Sequence, residues 1–142
     1  MLRAALLPTL ICGLMTSTIA WSDPVTPASC AEKGRARGMA LTYKDGYQKG
    51  YSDGYNEAYA GATGAHYEPR PDAWDGPDYK ACVAAGPTAV SAWTLGVQEA
   101  RAANEQYVRG YSHGYTAGKR DGLTAGQQAR IKSADHASKD DK

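Results

Sequence analysis

Few residues in this sequence are of the types that perform catalysis or bind metals, and their spacing forms no recognisable site. His66, His113 and His136 are the only histidines, and neither the His-x3-His nor the Cys-x2-Cys spacing of a zinc site occurs. A single histidine on a helix is usually a polar surface residue. His113 would need a nearby carboxylate to act in an unrecognised hydrolase of cell-wall polymers. We expect neither an enzyme nor a cofactor.

Three aspartates in a proline-containing stretch could suggest a calcium loop: Asp72, Asp75 and Asp78. Their spacing differs from the Asp-x-Asp-x-Asp-Gly pattern of such loops, and Pro77 interrupts it. The stretch has the composition of turns instead. We therefore predict no metal site here.

The strongest pattern is a repeat of tyrosine and glycine every four residues. Residues four apart lie nearly above one another on an α-helix, so each segment would present a ridge of rings beside a groove of bare backbone. We predict a glycine zipper, in which the ridge of one helix lies in the groove of the other. The first row is Tyr43, Tyr47, Tyr51, Tyr55 and Tyr59, beside Gly46, Gly50, Gly54 and Ala58; the second is Tyr107, Tyr111 and Tyr115, beside Gly110, Gly114, Gly118, Gly122 and Gly126.

The glycines limit what these segments can be. Each interior glycine destabilises a helix by about 1 kcal/mol relative to alanine, so close packing of the helix backbones has to offset that cost. The alternative is a disordered segment rich in glycine and tyrosine. Charged residues inside the rows, such as Lys49, Asp53 and Arg120, argue against helices that span a membrane.

The glycine rows from Gly46 to Gly54 and from Gly110 to Gly126 resemble the GX3 repeats of the Yae1/Lto1 deca-GX3 family. They are also similar to the glycine-rich stalk of the flagellar export regulator FliH. Proteins of those families are helical adaptors of the cytosol. The resemblance implies helix packing through glycine and a function in protein–protein binding.

The tyrosine rows are either buried between the helices or partly exposed, as a binding surface for a partner protein or for sugars. Because a row of period four drifts by about 40° per step around the helix, five tyrosines cannot all face one partner helix. Outer rings such as Tyr43 and Tyr59 should face another element, another subunit or solvent. Trp74 and Tyr79 add a candidate aromatic patch in the loop, with core packing as the alternative.

Capping and breaking signals give the order of the elements. Ser29 begins a Ser-x-x-Glu capping box, which predicts a first helix from Ser29 to Ala62. Prolines predict a loop over residues 65–77, followed by a short helix over residues 78–85. A second long helix is expected from Thr88 to Ile131, and the polar residues 133–142 predict a disordered tail.

The N-terminus has the features of a secretory signal peptide, with Arg3 before an uncharged stretch that ends in small residues at Ala20. Pro8 interrupts this short apolar stretch, which favours removal over retention as a membrane anchor. The mature chain would be one domain over residues 21–132 plus the tail, with basic and acidic side chains balanced at 15 each. We expect a periplasmic or secreted protein that binds no nucleic acid and does not insert into a membrane.

Two cysteines then remain, Cys30 and Cys82, and an even pair in an exported chain predicts a disulfide; two free thiols are the alternative. The expected fold is all-α: an antiparallel hairpin of two long helices with a proline-rich connection. Two helices bury little apolar surface, so a homodimer is expected. The expected function is protein–protein binding as an inhibitor, immunity or adaptor protein. The alternatives are a self-assembling component of the cell envelope and the hydrolase.

Overall fold

The computed structural model describes the backbone of residues 24–140 and the side chains of residues 24–136, so the predicted signal peptide lies outside the described residues. This part of the chain forms five α-helices, which confirms the all-α class. None of these helices has the length and apolar character needed to cross a membrane. The helices are α1 (Pro27–Met39), α2 (Tyr43–Thr63), α3 (Pro77–Ala85), α4 (Pro87–Ala103) and α5 (Glu105–Asp140).

The first helix begins earlier than the predicted start at Ser29. Thr26 is its N-cap, and the Thr26 hydroxyl accepts a hydrogen bond from the backbone N–H of Ser29 at 3.1 Å. The Ser29 hydroxyl accepts one in return from the Thr26 N–H at 3.0 Å. Pro27 occupies the first turn, where its fixed φ fits a helix and its missing N–H would have no helical partner. Ser29 is therefore the third residue of α1 rather than its cap.

The predicted helix from Ser29 to Ala62 is two helices, because a second cap starts a new one at Tyr43. The Thr42 hydroxyl accepts from the Asp45 N–H, and the Asp45 carboxylate accepts from the Thr42 N–H at 2.7 Å. The pKa of Asp45 is lowered because its carboxylate accepts hydrogen bonds from the Thr42 N–H and from the Thr42 hydroxyl, the latter at 2.8 Å. The usual Ser/Thr-x-x-Glu pattern does not identify this capping box, because aspartate stands in it where glutamate is more usual.

The predicted helix from Thr88 to Ile131 is also broken, at Asn104, whose side chain is buried. The side-chain oxygen of Asn104 accepts from the backbone N–H of Tyr107 at 3.2 Å, as the cap of α5. Its amide nitrogen donates to three carbonyl oxygens of the α1–α2 junction, those of Gly38, Met39 and Leu41, at 3.2, 3.2 and 2.7 Å. The break between α1 and α2 and the break between α4 and α5 therefore lie side by side, and the Asn104 side chain bonds to both.

The helices pair in parallel, α1 with α4 and α2 with α5. Contacting positions rise together along both chains: Gly46 lies against the backbone of Tyr107, and Gly50 lies against that of Tyr111. The antiparallel hairpin of two long helices is therefore not confirmed. Parallel pairing is possible because the irregular residues 65–76 and the short helix α3 carry the chain back from the end of α2 to the beginning of α1.

The C-terminal ends of α2 and α5 differ: α2 ends at a glycine, whereas α5 continues further than predicted. Gly64 ends α2 in the left-handed conformation, with φ of 78°, and its N–H bonds to the Ala60 carbonyl. By contrast, α5 continues beyond the predicted end at Ile131 and includes residues 133–140, which the sequence analysis placed in a disordered tail. This last part of α5 extends past the end of its partner helix.

The apolar core lies where α1, α3 and α4 meet. The predicted disulfide is confirmed: Cys30 of α1 and Cys82 of α3 are bonded, with their Cα atoms 6.0 Å apart and both residues fully buried. Trp74 and Tyr79, the two predicted loop aromatics, are half-buried and pack against this core, although Tyr79 lies on α3 and only Trp74 lies in the loop. The buried cluster consists of Cys30, Cys82, Ala89, Trp93 and Val97.

Seven glycines of α2 and α5 are the positions where the two backbones touch. A Cβ atom added at any of them would lie closer than 3.0 Å to a backbone carbonyl oxygen of a tyrosine on the opposite helix. That direction of approach is typical of Cα–H···O contacts, which contribute about 0.5–1 kcal/mol each and so offset much of the propensity cost of glycine. The glycines are Gly46, Gly50, Gly54, Gly110, Gly114, Gly118 and Gly122.

This geometry differs from the predicted packing of rings into a glycine groove. The atoms nearest to a Cβ added at each of these glycines are backbone atoms of the opposite helix, so the helices are too close for a ring to lie between them. The rings stand along the two flanks of the contact instead. At the far end the spacing relaxes: a Cβ on Gly126 would meet the Cβ of Ala62, and Ala58 is half-buried in the glycine row.

Candidate binding surface

The tyrosine rings form two stacked rows, one on each flank of the α2–α5 pair. Neighbouring rings in each row have their centroids 6.1–6.3 Å apart. Spacing of four residues on a helix produces this stack directly. We call the row on α2 the open ladder and the row on α5 the covered ladder. The open ladder is Tyr43, Tyr47, Tyr51, Tyr55 and Tyr59; the covered ladder is Tyr107, Tyr111 and Tyr115.

Two hydroxyl groups of the covered ladder reach across to acidic side chains of α2. Tyr111 donates to a carboxylate oxygen of Asp53 at 3.1 Å, and Tyr115 donates to Glu57 at 2.6 Å. Burial, together with the hydrogen bond to Asp53, raises the pKa of Tyr111 to about 12. The bond to Glu57 raises the pKa of Tyr115 in the same way. These phenols therefore stay protonated and serve as hydrogen-bond donors.

The returning segment, residues 65–76, lies over the covered ladder. The Tyr67 hydroxyl donates to Asp53 at 3.4 Å, and the ammonium group of Lys49 donates to the Arg70 carbonyl at 3.4 Å. The Asp72 carboxylate forms an ion pair with the guanidinium group of Arg101. The segment is thus fixed to α2 through Tyr67 and Arg70 and to α4 through Asp72.

A groove of about 690 Å³ remains between this segment and the covered ladder. Tyr107 and Tyr111 form part of its wall, and Pro69 and Pro71 form part of the opposite side. Four of its charged side chains form ion pairs within the groove: Lys49 with Asp53 at 2.7 Å, and Asp72 with Arg101. The groove is therefore an open space between the proline-containing segment and the covered ladder.

The open ladder has no such cover. Tyr43, Tyr47 and Tyr59 are 38%, 36% and 38% exposed, while Tyr107 of the covered ladder is only 6% exposed. Tyr51 and Tyr55 are half-buried. The rings therefore offer a continuous aromatic strip at the surface, and the packing that fixes them comes from one another and from α5.

Two hydroxyl groups of the open ladder form hydrogen bonds with side chains of α5, and three do not. Tyr43 shares a hydrogen bond of 2.9 Å with Nδ1 of His113, and Tyr51 donates to Asp121 at 3.1 Å. The bond to Asp121 raises the pKa of Tyr51. Within residues 24–136, the hydroxyls of Tyr47, Tyr55 and Tyr59 have no hydrogen-bond partner. Three donors are thus available on this strip.

The two flanks are related by an internal repeat. Tyr51 bonds to Asp121 as Tyr115 bonds to Glu57, at a constant offset along the sequence. The position equivalent to Asp53, which accepts from the covered ladder, is Ala117 on the open side. The open ladder therefore lacks the acceptor that its counterpart has, and this explains one of its free hydroxyls.

The other candidate residues of the sequence analysis are dispersed. His113 contacts the Tyr43 hydroxyl and ring, His66 lies beside Glu68 on the exposed loop, and His136 is exposed on α5. Asp75 and Asp78 form ion pairs with lysines. Over the described stretch, no group of three histidine, cysteine or acidic residues is arranged to hold a metal ion.

Sequence reasoning missed the second glycine contact, between α1 and α4. Gly34 lies against the backbone of Trp93, Gly38 against that of Val97, and Gly96 against that of Ala31. Gly34 and Gly38 are four residues apart, so the same spacing rule would have found them. It also missed Asn104, which interrupts a long apparent helix with a residue that favours N-caps.

Comparison with models of known protein families gives no match. No curated protein and no solved structure matches the chain either.

Proposed function

We propose that this protein is exported and acts by binding another protein through the open ladder, as an inhibitor, immunity or adaptor protein. The observation that carries the proposal is a rigid strip of five stacked tyrosines that the chain leaves uncovered. Tyrosine is enriched at the centres of protein interfaces, because it contributes a large contact area and a hydroxyl group at a low cost in side-chain entropy.

Three features support export and a binding role. The disulfide between Cys30 and Cys82 is compatible with an oxidising compartment such as the periplasm or the extracellular space. The rings of the strip are already ordered by stacking, so little side-chain freedom would be lost on binding. The hydroxyls of Tyr47, Tyr55 and Tyr59 have no partner among the described residues, whereas His113 and Asp121 of α5 bond to Tyr43 and Tyr51.

Self-assembly is the second candidate, and the structure changes how it can be tested. The glycine rows are in contact with each other inside one chain, so a zipper between chains would require the α2–α5 pair to open. A bulky residue at Gly114 would therefore disrupt the fold and would not report on assembly. A second copy could instead dock on the open ladder.

Site-specific photocrosslinking in exporting cells tests both candidates. A photoreactive phenylalanine replaces Tyr47 or Tyr55 on the strip, or Thr116, which is exposed on the outer side of α5, as the matched control. We expect one discrete adduct of the same mass from both strip positions and none from Thr116. Mass spectrometry identifies the partner, and an adduct at twice the chain mass indicates self-association.

The adduct should also depend on the rest of the strip. With the photoreactive group at Tyr47, the substitution Tyr59→Ser should reduce its yield, whereas Leu95→Ser, at an exposed position on α4, should not. Equal adducts at the strip and at Thr116, or none at the strip, would refute the proposal.

A further inference from the structure

The hydrogen bonds between each ladder and the opposite helix follow a fixed separation along the sequence. On the covered ladder, the hydroxyl groups of Tyr111 and Tyr115 bond to residues of α2 that are 58 positions away, and both of those residues are acidic. On the open ladder, the hydroxyl groups of Tyr43 and Tyr51 bond to residues of α5 that are 70 positions away. Residues four apart repeat the same geometry along a helix, so each tyrosine determines where its acceptor must stand.

The three other hydroxyl groups of the open ladder face alanine at the positions where an acceptor would stand. The residues 70 positions beyond Tyr47, Tyr55 and Tyr59 are Ala117, Ala125 and Ala129. All three alanines are half-buried, and a methyl group cannot accept a hydrogen bond. The lack of acceptors on this strip is therefore a regular feature of the α5 sequence.

The α5 row that borders the open ladder also has fewer acidic side chains than the equivalent row of α2. The row of α2 is Asp45, Lys49, Asp53 and Glu57, and that of α5 is Arg109, His113, Ala117 and Asp121. The Asp121 carboxylate is already paired with Arg120 at 3.0 Å. Among the described residues, the Arg109 guanidinium bonds only to the neutral side-chain oxygen of Gln106, at 3.1 Å. An incoming carboxylate would therefore meet an unpaired cation beside the ladder.

The stacking of the rings favours an anionic partner as well. Neighbouring rings lie at interplanar angles of 8–26°, so each inner ring has another ring on both of its faces. The strip therefore presents ring edges and hydroxyl groups to solvent. The edge of an aromatic ring carries a partial positive charge, and a hydroxyl group bonds more strongly to a carboxylate than to a neutral acceptor. A ligand that stacks on ring faces, such as a sugar, would find those faces occupied.

We infer that the open ladder binds an acidic segment of the partner protein, whose carboxylates accept hydrogen bonds from Tyr47, Tyr55 and Tyr59. This inference rests on the proposed function and specifies the chemistry of the partner. The covered flank contains the same arrangement within one chain, with Asp53 and Glu57 four residues apart on α2. Successive acceptor positions are about 6 Å apart, which acidic residues match when they are four apart on a helix or two apart on an extended chain.

The test is a titration of the complete mature protein, labelled with 15N, with a peptide of twelve glutamates, followed by NMR. The control peptide has twelve glutamines, which keep the carbonyl acceptors and lack the charge. We expect saturable shifts for the amides of Tyr47, Tyr55 and Ala117, and these should weaken as the salt concentration rises. The control peptide should bind about tenfold or more weakly.

Two matched variants locate the binding on the strip. Ala117→Asp supplies an acceptor from the chain itself beside Tyr47, and Thr116→Asp adds the same charge on the outer side of α5. Ala117→Asp should weaken the glutamate peptide about tenfold or more, whereas Thr116→Asp should change its affinity less than about twofold. The urea midpoint of Ala117→Asp should not fall, because Asp53 makes the equivalent hydrogen bond with Tyr111. Should Ala117→Asp unfold, Tyr47→Phe with Tyr55→Phe keeps the rings, removes two donors and should weaken binding several-fold.

Four results would overturn the inference: equal binding of the two peptides, shifts confined to another surface, no shifts at millimolar peptide, or equal weakening by Ala117→Asp and Thr116→Asp. Equal binding of a thymidine oligonucleotide would also overturn it, since the strip would then respond to any polyanion. If the photocrosslinked partner is still found under those outcomes, the proposed function stands and only the ligand class is wrong.

Discussion

Replacing one glycine of the zipper with alanine should destabilise the protein, although alanine is the better helix former. At Gly114 the added Cβ would lie closer than 3.0 Å to three atoms of Tyr47, its carbonyl oxygen, carbonyl carbon and Cα. All three are backbone atoms, so no rotation of a side chain can relieve the contact. Gly61 is the control, because it is an exposed glycine in the last turn of α2 and a Cβ there would meet nothing within 4 Å.

The expected changes in the free energy of unfolding have opposite signs in the two variants. Alanine gains about 1 kcal/mol of helix propensity at either site. At Gly114 the helices must move apart by about 1 Å, which forfeits up to about half of the attraction of each affected atom pair. Overpacking of this kind costs about 1–3 kcal/mol, and rigid backbone atoms place Gly114→Ala at the upper end. We expect a net loss of about 2 kcal/mol for Gly114→Ala and a gain of about 1 kcal/mol for Gly61→Ala.

Urea unfolding of the oxidised protein, followed by circular dichroism at 222 nm, measures both free energies of unfolding. The difference of about 3 kcal/mol between the variants corresponds to roughly 10 °C or more in melting temperature for a domain of this size. Gly118→Ala faces the backbone of Tyr51 and should behave like Gly114→Ala. If Gly114→Ala is as stable as Gly61→Ala, the helices do not touch through their backbones, and the parallel zipper described above is wrong.

Three further predictions concern other parts of the molecule. Asn104→Ala should lower the free energy of unfolding in urea by about 3 kcal/mol, since buried carbonyls lose their donor, and Asn104→Asp should be no better because a carboxylate cannot donate. Replacing Cys30 and Cys82 with serine should cost about 4 kcal/mol by the same assay, as the bond closes a loop with a sequence separation of 52. The pKa of Tyr111 is raised from 10.0 to about 12 in the folded protein. The contribution of its phenol to the free energy of unfolding is therefore complete below pH 10 and is lost as the pH rises towards 12. Tyr111→Phe should flatten the decline in the free energy of unfolding measured between pH 10 and 12.

The helical class and the disulfide could be predicted because their signals are local or compositional. Period-four rows specify a helix face, and a pair of cysteines in an exported chain specifies a bond. The direction of pairing could not be read from the rows, because glycine every four residues looks the same from either end of a helix. Nothing in the sequence of α2 or α5 distinguishes a parallel neighbour from an antiparallel one.

The length of the connection does contain that information. Residues 65–76 are able to span about 40 Å when extended, while α2 is about 30 Å long. The connection is therefore long enough to return along the whole helix, which an antiparallel hairpin would not need. The breaks at Thr42 and Asn104 had signals as well, but they are single polar residues inside apparently continuous helices, and such residues are also compatible with a helix surface.

The parallel fold itself explains why the molecule has an uncovered aromatic strip. Pairing two similar helices in parallel creates two similar flanks, each with a row of tyrosines. Parallel helices need one long return segment, and that segment can lie on only one flank. Residues 65–76 cover Tyr107 and its neighbours, so Tyr43 to Tyr59 stay at the surface. A short antiparallel turn would have left both flanks open. The exposed strip is thus a consequence of the connection, which covers one flank of the α2–α5 pair and leaves the other at the surface.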